Sequence, residues 1–182
     1  MSVITLRGSS DGAIADVIDK RLLTRTRSDF EQAILDGDAY SWTNATYDPD
    51  AHDTILGVQN DSTTRDLFIE RMWINSDTAT QFVVHTSSGV TMAGTAVTGV
   101  NLNRGSSNVA PATAKADETG NGQQAASYTG RIIIGHVAQN GLVEVRLYGS
   151  LLLPYGWNVG IDLTTAATGS VMTIWGYFRD KE

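Results

Sequence analysis

The chain has 182 residues and a mass of 19.5 kDa, enough for one domain with a sizeable core, and 41% of its residues are hydrophobic. It contains no Cys, which excludes disulfides, Cys-based zinc sites and thiol nucleophiles. Its net charge is −7, which argues against nucleic-acid binding through a broadly basic surface.

The start of the chain and its apolar runs predict neither a targeting segment nor a membrane span. Residues 1–7 lack the basic stretch and following apolar stretch of a secretory signal. The longest apolar runs, such as Ile132–Ile134 and Leu151–Leu153, fall far short of the roughly 18 residues that a spanning helix needs. We therefore expect a soluble protein made in a cytoplasm, with no membrane partner.

The first predicted element is a helix within residues 11–22. Apolar residues recur in this stretch at intervals of three and four, with charged residues between them. The recurring apolar residues are Ile14, Val17, Ile18 and Leu22.

A second short helix is predicted to begin after Ser28 and to stop at Gly37. Ser28 and Glu31 have the spacing of a capping box, and glycine commonly ends a helix. Neither predicted helix is long enough to be stable alone. Residues 1–38 are therefore predicted to form an arm that docks on the rest of the chain or on a partner. The apolar face of the second helix would carry Phe30, Ala33 and Ile34.

Residues 39–182 have the pattern of strands and turns and are predicted to form the main domain. In one strand Val143, Val145 and Leu147 lie on one face, while Glu144 and Arg146 lie on the other. Eight or nine short strands without alternating helices predict a sandwich, jelly roll or barrel. The candidate strands lie near 40–46, 54–60, 66–75, 79–86, 91–103, 131–138, 142–153, 157–164 and 171–179.

Three further features of this region lead to predictions. Asn140-Gly141 between two strands is a strong hairpin signal. The last strand, 171–178, is apolar on both faces, so one face should meet the core and the other something else. Residues 104–127 are small and polar over more than 20 positions, which is unusual inside a compact domain. They are predicted to be a mobile surface loop or a loop that orders against a neighbouring subunit or partner.

No motif predicts catalysis. The chain has no nucleophile elbow, and His52, His85 and His136 are far apart in sequence. His85 and His136 follow apolar runs and are predicted to be packed or rim residues. The acidic run 48–53 lacks the Gly and terminal Glu of an EF-hand, so a capped turn explains it, with a structural ion as the alternative. We predict that the protein is not an enzyme and needs no cofactor, and a hydrolase with a carboxylate pair ranks last.

Two groups of side chains are candidates for binding. The only dense basic group lies in the arm, where it either balances nearby carboxylates or attaches the arm to an acidic surface. It consists of Lys20, Arg21, Arg25 and Arg27. Tyr155 and Trp157 flank a glycine at a turn, where their rings suit a sugar-stacking platform or a subunit contact.

Several segments, taken in order, carry a resemblance to a known class of protein. They are residues 25–28 leading to 37–42, then 66–71, 98–107, 149–156 and the closing strand 175–178. Over roughly residues 24–178 the chain resembles small virion proteins of tailed bacteriophages. It is most similar to the jelly-roll decoration proteins that sit as trimers on the capsid.

The resemblance implies a jelly-roll β-sandwich of about eight strands with a short helical N-terminal arm. It also implies a homotrimer on the capsid surface that binds the major capsid protein and no nucleic acid, using multivalency to convert weak contacts into firm attachment. The contact elements would be residues 1–36 and the loop 104–127. The expected capsid contacts are Lys20, Arg21, Arg25 and Arg27, and the expected subunit-interface residues are Trp175, Tyr177 and Phe178.

Tail and fibre proteins of phages share this fold, and a fold alone does not separate these roles. The alternative function is therefore a carbohydrate-binding, receptor-recognising module of a tail or fibre. In that alternative Tyr155 and Trp157 would contact the glycan.

Overall fold

A computed structural model describes residues 14–18, 21–25, 27–45, 50–89, 91–117 and 130–181. These residues form an all-β sandwich with one short helix, which confirms the predicted fold class. In chain order the elements are β1 (Ile14–Ile18), β2 (Arg21–Arg25), α1 (Asp29–Asp36), β3 (Ala39–Thr43), β4 (Thr54–Asn60), β5 (Arg65–Ser76), β6 (Thr80–Ser88), β7 (Thr95–Ala96), β8 (Val100–Asn101), β9 (Ala112–Ala116), β10 (Arg131–Val137), β11 (Gly141–Leu153), β12 (Trp157–Leu163) and β13 (Ser170–Asp180).

The two large sheets have the strand order of a jelly roll. One sheet runs β11-β5-β13-β3-β8 and the other β10-β6-β12-β4-β9-β7. Leaving out β7, β8 and β9, these two sheets contain eight strands. In chain order the outermost strands pair with each other and so on inward: β3 with β13, β4 with β12, β5 with β11 and β6 with β10. This nested antiparallel pairing is the double Greek key of a jelly roll.

The core lies between the two sheets and follows from alternation along the strands. Ile69 and Ile74 of one sheet and Ile161 of the other are fully buried, together with the large rings of Tyr40 and Trp42. Each such side chain contributes about 1.5–3 kcal/mol when it is removed from water. The sandwich is therefore held mainly by its own inward-facing residues.

The helix predicted after Ser28 is confirmed. The Ser28 hydroxyl accepts a hydrogen bond from Glu31 N, and the Glu31 carboxylate accepts one from Ser28 N. Gly37 ends the helix at a φ of 77°, a left-handed conformation that glycine adopts without strain. Phe30 and Ala33 are buried, and Ile34 packs beside them as predicted.

This helix covers part of the outer face of the last strand. Phe30 packs on Tyr177 with 6.0 Å between ring centroids, and Asp29 pairs with Arg179 at 2.9 Å. On the inner face of β13, Ile174 and Phe178 lie in the sandwich core. The prediction that both faces of this strand are covered is confirmed at these positions, and the second cover is the chain's own α1.

The helix predicted within residues 11–22 is wrong, because β1 and β2 form a two-stranded antiparallel sheet with Ile18 paired to Arg21. Ile14, Val17 and Ile18 are β-branched, and such residues favour strands over helices. A short apolar stretch fits both the helical period of about 3.6 residues and the strand period of about 2 residues. The spacing of the apolar residues alone therefore could not distinguish a helix from a strand.

The hairpin predicted at Asn140-Gly141 is also wrong in its pairing. The turn itself exists, since Asn140 has a φ of 54° and Gly141 N donates to Ala138 O at 2.8 Å. However, β10 pairs with β6 and β11 pairs with β5, so the turn carries the chain from one sheet to the other. A turn sequence specifies that the chain reverses, whereas long-range packing selects the neighbours.

Two predictions between residues 91 and 127 need correction. The strand predicted over 91–103 is reduced to β7 and β8, which have two residues each. Conversely, the loop predicted over 104–127 contains β9, whose Ala114 and Ala116 lie in the core. The alternating alanines of β9 are too small to give a strong hydrophobic signal, yet they fit closely beside β4.

One fully buried side chain ties both sheets together. The Asn60 amide donates to Arg65 O and to Leu153 O, both at 2.9 Å, and its carbonyl oxygen accepts from Ser62 N at 2.8 Å. Asn60 thereby joins the end of β4 to the start of β5 and to the end of β11. A buried donor or acceptor that loses its hydrogen-bond partner lowers the stability of the fold by about 1–3 kcal/mol.

We expect Asn60→Ala to lower the melting temperature by about 6–12 °C, which corresponds to about 3 kcal/mol for a chain of this size. The matched control is Gln59→Ala, because the Gln59 amide reaches only the exposed Asp61 carboxylate. Thermal denaturation followed by circular dichroism measures both variants. Equal shifts in the two variants would contradict the assigned role of Asn60.

Candidate interaction surface

Two edge strands lie together on one side of the sandwich. β10 ends the six-stranded sheet, β11 ends the five-stranded sheet, and the two strands contact each other. We call this side the open side. It comprises the exposed residues Ile132, Ile134, Leu142, Tyr148 and Leu152, and the half-buried residues Ile133, Val143, Val145, Leu147 and Leu151.

The open side exposes several large apolar side chains beside the charged residues of the same strands. Its five exposed apolar side chains have exposed fractions from 42% for Leu152 to 71% for Tyr148, and Glu144 and Arg146 lie between Leu142 and Tyr148 along β11. Large apolar side chains that cluster at a sheet edge are candidates for contact with a partner. The apolar runs 132–134 and 151–153 both contribute to this surface.

The inward-facing residues of β11 are also incompletely covered. Val143, Val145 and Leu147 point toward the core, as alternation predicted, but they remain half-buried, whereas the inward residues of the central strands are fully buried. The two sheets therefore do not close over their own edge at β11.

β11 has only part of the usual protection of an edge strand, namely the charged Glu144 and Arg146 and one bulge. Natural proteins protect edges with short strands, charged side chains, Pro or bulges. β11 has 13 residues with neither Lys nor Pro, and its single register shift comes after Arg146, where Tyr148 and Gly149 have positive φ angles. Residues 141–147 thus form a regular edge on which another strand can pair.

Charged and aromatic side chains flank β11 on the outer face of its sheet. Glu144 pairs with Arg146 at 2.8 Å and lies 3.7 Å from Arg71. The hydrogen bond from Arg146 is the main reason that the pKa of the Glu144 carboxyl lies below its usual value, and a hydrogen bond from Trp73 adds to the effect. The Trp73 ring, 40% exposed, packs edge-to-face on Trp175.

The predicted subunit-interface residues occupy different environments. Phe178 lies in the sandwich core, and Tyr177 is buried beneath α1 and stacked on Phe68. Both side chains are therefore covered by other residues of the same chain. Trp175 is half-buried, with the Arg71 guanidinium 5.6 Å from its ring centroid. The sequence could not show that the chain's own helix would cover Tyr177.

The predicted capsid contacts fall mostly where side chains are not described. Lys20 lies outside the described residues, and Arg21 and Arg25 are described by their backbone in β2. Arg27 is half-buried and lines a cavity of about 260 Å³ with Glu31, Ile34 and Leu35. Within the predicted loop 104–127, residues 118–127 also lie outside the described part of the chain.

Tyr155 and Trp157 lie at the turn that precedes β12, as the sequence indicated. Their exposed fractions are 57% and 42%, and Gly156 between them has a φ of 76°. Trp157 N donates to Pro154 O at 3.0 Å, which closes the turn. The two rings are accessible to a ligand, and neither of them belongs to the open side.

His85 is a packed residue, as the sequence predicted. It lies on β6 with its Nε2 atom 2.9 Å from Asp162 Oδ1, and Thr54 donates to the same oxygen at 2.8 Å. All three side chains are buried on neighbouring strands, and alternation with Phe82 and Val84 puts His85 on the face away from the core.

The other two histidines differ from His85 in their environment, and the acidic run 48–53 is described only from residue 50 onward. His52 and His136 are exposed, while Asp48 and Pro49 lie outside the described residues. Among the residues that the structure describes, no group of three or more His, Asp or Glu side chains could hold a metal ion.

The open side was missed by sequence reasoning, although its signals were present. The two runs of three apolar residues were visible, and so was the alternation along 142–147. Which strands would lie at the edges depends on the strand order, and the order is a property of the whole fold. Without the strand order, an apolar run is predicted to lie in the core.

Comparisons with known proteins identify no relative: no family model, curated protein or solved structure matches the chain. In the described part of the chain, no helix is long and apolar enough to cross a membrane.

We expect Asp162→Ala to lower the free energy of unfolding by about 3 kcal/mol, because buried His85 and Thr54 would lose their acceptor. Urea denaturation at neutral pH measures the change. Asp61→Ala is the control, since it removes an exposed acceptor of Gln59 and Thr113 and should cost less than about 1 kcal/mol. A loss at Asp162 no larger than that of the control would contradict this role of the buried network.

Proposed function

We propose that the chain is a structural virion protein that binds the capsid shell of a tailed phage as a homotrimer and stabilises it. The observation that carries this proposal is the open side, an apolar edge of a jelly roll that is suited to assembly. The jelly-roll topology agrees with the family that the sequence resembles. The proposed location is the outer surface of the capsid, with the major capsid protein as partner.

Assembly explains why such a surface would persist on a protein with a net charge of −7. An exposed apolar edge is an aggregation hazard unless a defined partner covers it. Several weak shell contacts, joined in one oligomer, raise the overall affinity by about 10²–10⁴ without any new contact. A protein of this kind works by binding alone.

The arm is the proposed shell-binding element. β1 and β2 pair only with each other among the described strands, and neither belongs to a sandwich sheet. The basic group of the arm stands out in an acidic chain, and it suits an acidic patch on a shell subunit. Arg21, Arg25 and Arg27 are the proposed charged anchors.

Removing residues 1–27 is expected to abolish co-sedimentation with purified shells of the phage that encodes the chain. The sandwich should remain folded, because the cap of α1 begins at Ser28 and the β1–β2 sheet is separate from both large sheets. Circular dichroism checks the fold of the truncated protein. Shell binding that is undiminished by the truncation would contradict the role of the arm.

A second candidate function is a carbohydrate-binding module of a tail or fibre. The exposed rings of Tyr155 and Trp157 favour it, because aromatic faces at a turn can stack on sugar rings. This function would use the turn before β12 rather than the arm or the open side.

If the shell-binding function is right, Tyr155→Ala and Trp157→Ala should leave shell binding unchanged within about twofold, since exposed positions away from a contact have little effect. A glycan array with the unaltered protein provides the opposite test. A glycan bound at millimolar concentration or tighter, and lost in both variants, would favour the carbohydrate-binding function instead.

A further inference from the structure

The regular part of β11 ends at Leu147 and has a self-complementary sequence around Val145. From Val143 to Leu147 it reads Val-Glu-Val-Arg-Leu, with Val145 at the centre. Apolar residues lie at equal distances on both sides of Val145. The two charges, Glu144 and Arg146, lie on either side of it with opposite signs.

We propose that a second copy of this chain covers the open side, with its β11 pairing antiparallel to this β11 about a two-fold axis at Val145. The inference deepens the proposed function by naming a partner for the open side, and it rests on that function only in treating this side as an assembly surface. It does not depend on capsid binding.

The backbone of β11 is suited to this pairing. Among the described strands β11 pairs with β5 alone, so the backbone groups on its other edge have no ladder partner. The positive φ angles at Tyr148 and Gly149 end the regular segment. Bulges of this kind terminate pairing and limit the shared ladder to about five residues on each chain, from Val143 to Leu147.

The side chains match on both faces in this register. On the inner face, Val143 would lie opposite the Leu147 position of the second copy, and the two Val145 side chains would meet at the axis. These residues are half-buried in one chain, and the pairing would complete their burial.

The charges favour a copy of the same chain over an unrelated partner. In the antiparallel register Glu144 of each chain lies directly opposite Arg146 of the other, so the axis generates two ion pairs. Opposite charges across a strand pair stabilise it, and like charges directly opposite destabilise it. A shift of one residue would place the inward-facing valines against the outward-facing charges, so the pattern selects one register.

The contact has a definite consequence for assembly. A two-fold interface is isologous and joins copies in pairs. Alone it makes a dimer, and between two of the proposed trimers, whose three-fold contact would use another surface, it makes six copies. The number of copies in solution is therefore even.

The test combines native mass with charge reversal in the full chain. Sedimentation equilibrium should give two or six copies of the 19.5 kDa chain. Glu144→Arg and Arg146→Glu each place like charges opposite one another twice. Each should weaken the pairwise association by about tenfold or more. The double reversal, Glu144→Arg with Arg146→Glu, restores opposite charges and should restore association to within about threefold.

Lys115→Glu on β9 is the matched control, because it reverses a charge on the far side of the sandwich. Thermal denaturation of each variant checks the fold. A purely monomeric or trimeric mass, or association insensitive to the single reversals, would overturn the proposal, and so would a failure of the double reversal to rescue. Shell binding is scored separately with the arm truncation, so failure of either proposal is recognised on its own.

Discussion

Every open β-sheet ends in two edges, and the way this chain covers its edges governs the rest of the structure. Nested pairing places β10 and β11 at the same side of the sandwich. An edge exposes unpaired backbone groups and an incompletely covered core, so it must be protected or partnered. Within the described residues, the opposite side is covered by the chain itself, whereas this side exposes large apolar side chains.

The far side is closed by the segment between β6 and β10. β8 pairs with β3, and β9 pairs with β4 while inserting two alanines into the core. The same segment caps α1, because the amides of Asn101 and Asn108 donate to the carbonyl of Gly37 at 2.8 and 3.2 Å. The described part of the segment between β6 and β10 lacks a strong hydrophobic pattern. It nevertheless covers the sheet edges at β3 and β4 and hydrogen-bonds the C-terminal end of α1. β3 and β4 are thus covered by further strands, whereas β11 ends its sheet with no described strand beside its outer edge.

Local sequence predicted much of this architecture. The capping box at Ser28 and the glycine stop at Gly37 are satisfied within one helix, so their signals are complete within ten residues. Outside residues 91–127, the strands from 39 onward lie close to their predicted bounds, because alternation and turn residues are also local. The first helix failed since Ile14, Val17 and Ile18 fit either period over so short a stretch. β9 was missed because alanines pack well in a narrow space but carry a weak pattern.

The candidate interaction surface was likewise predictable from the sequence only in part. The sequence by itself determined the alternation along β11, the opposite charges of Glu144 and Arg146, and the exposure of the rings beside Gly156. Only the tertiary structure decided that Tyr177 would lie under α1, that Phe178 would lie in the core, and that the turn at Asn140 would join two sheets. The physical reason is that strand order and edge position arise from contacts between residues far apart in the chain. The local sequence pattern shows which residues of a strand point to each face of the sheet. The fold decides which backbone edge of the strand pairs with another strand.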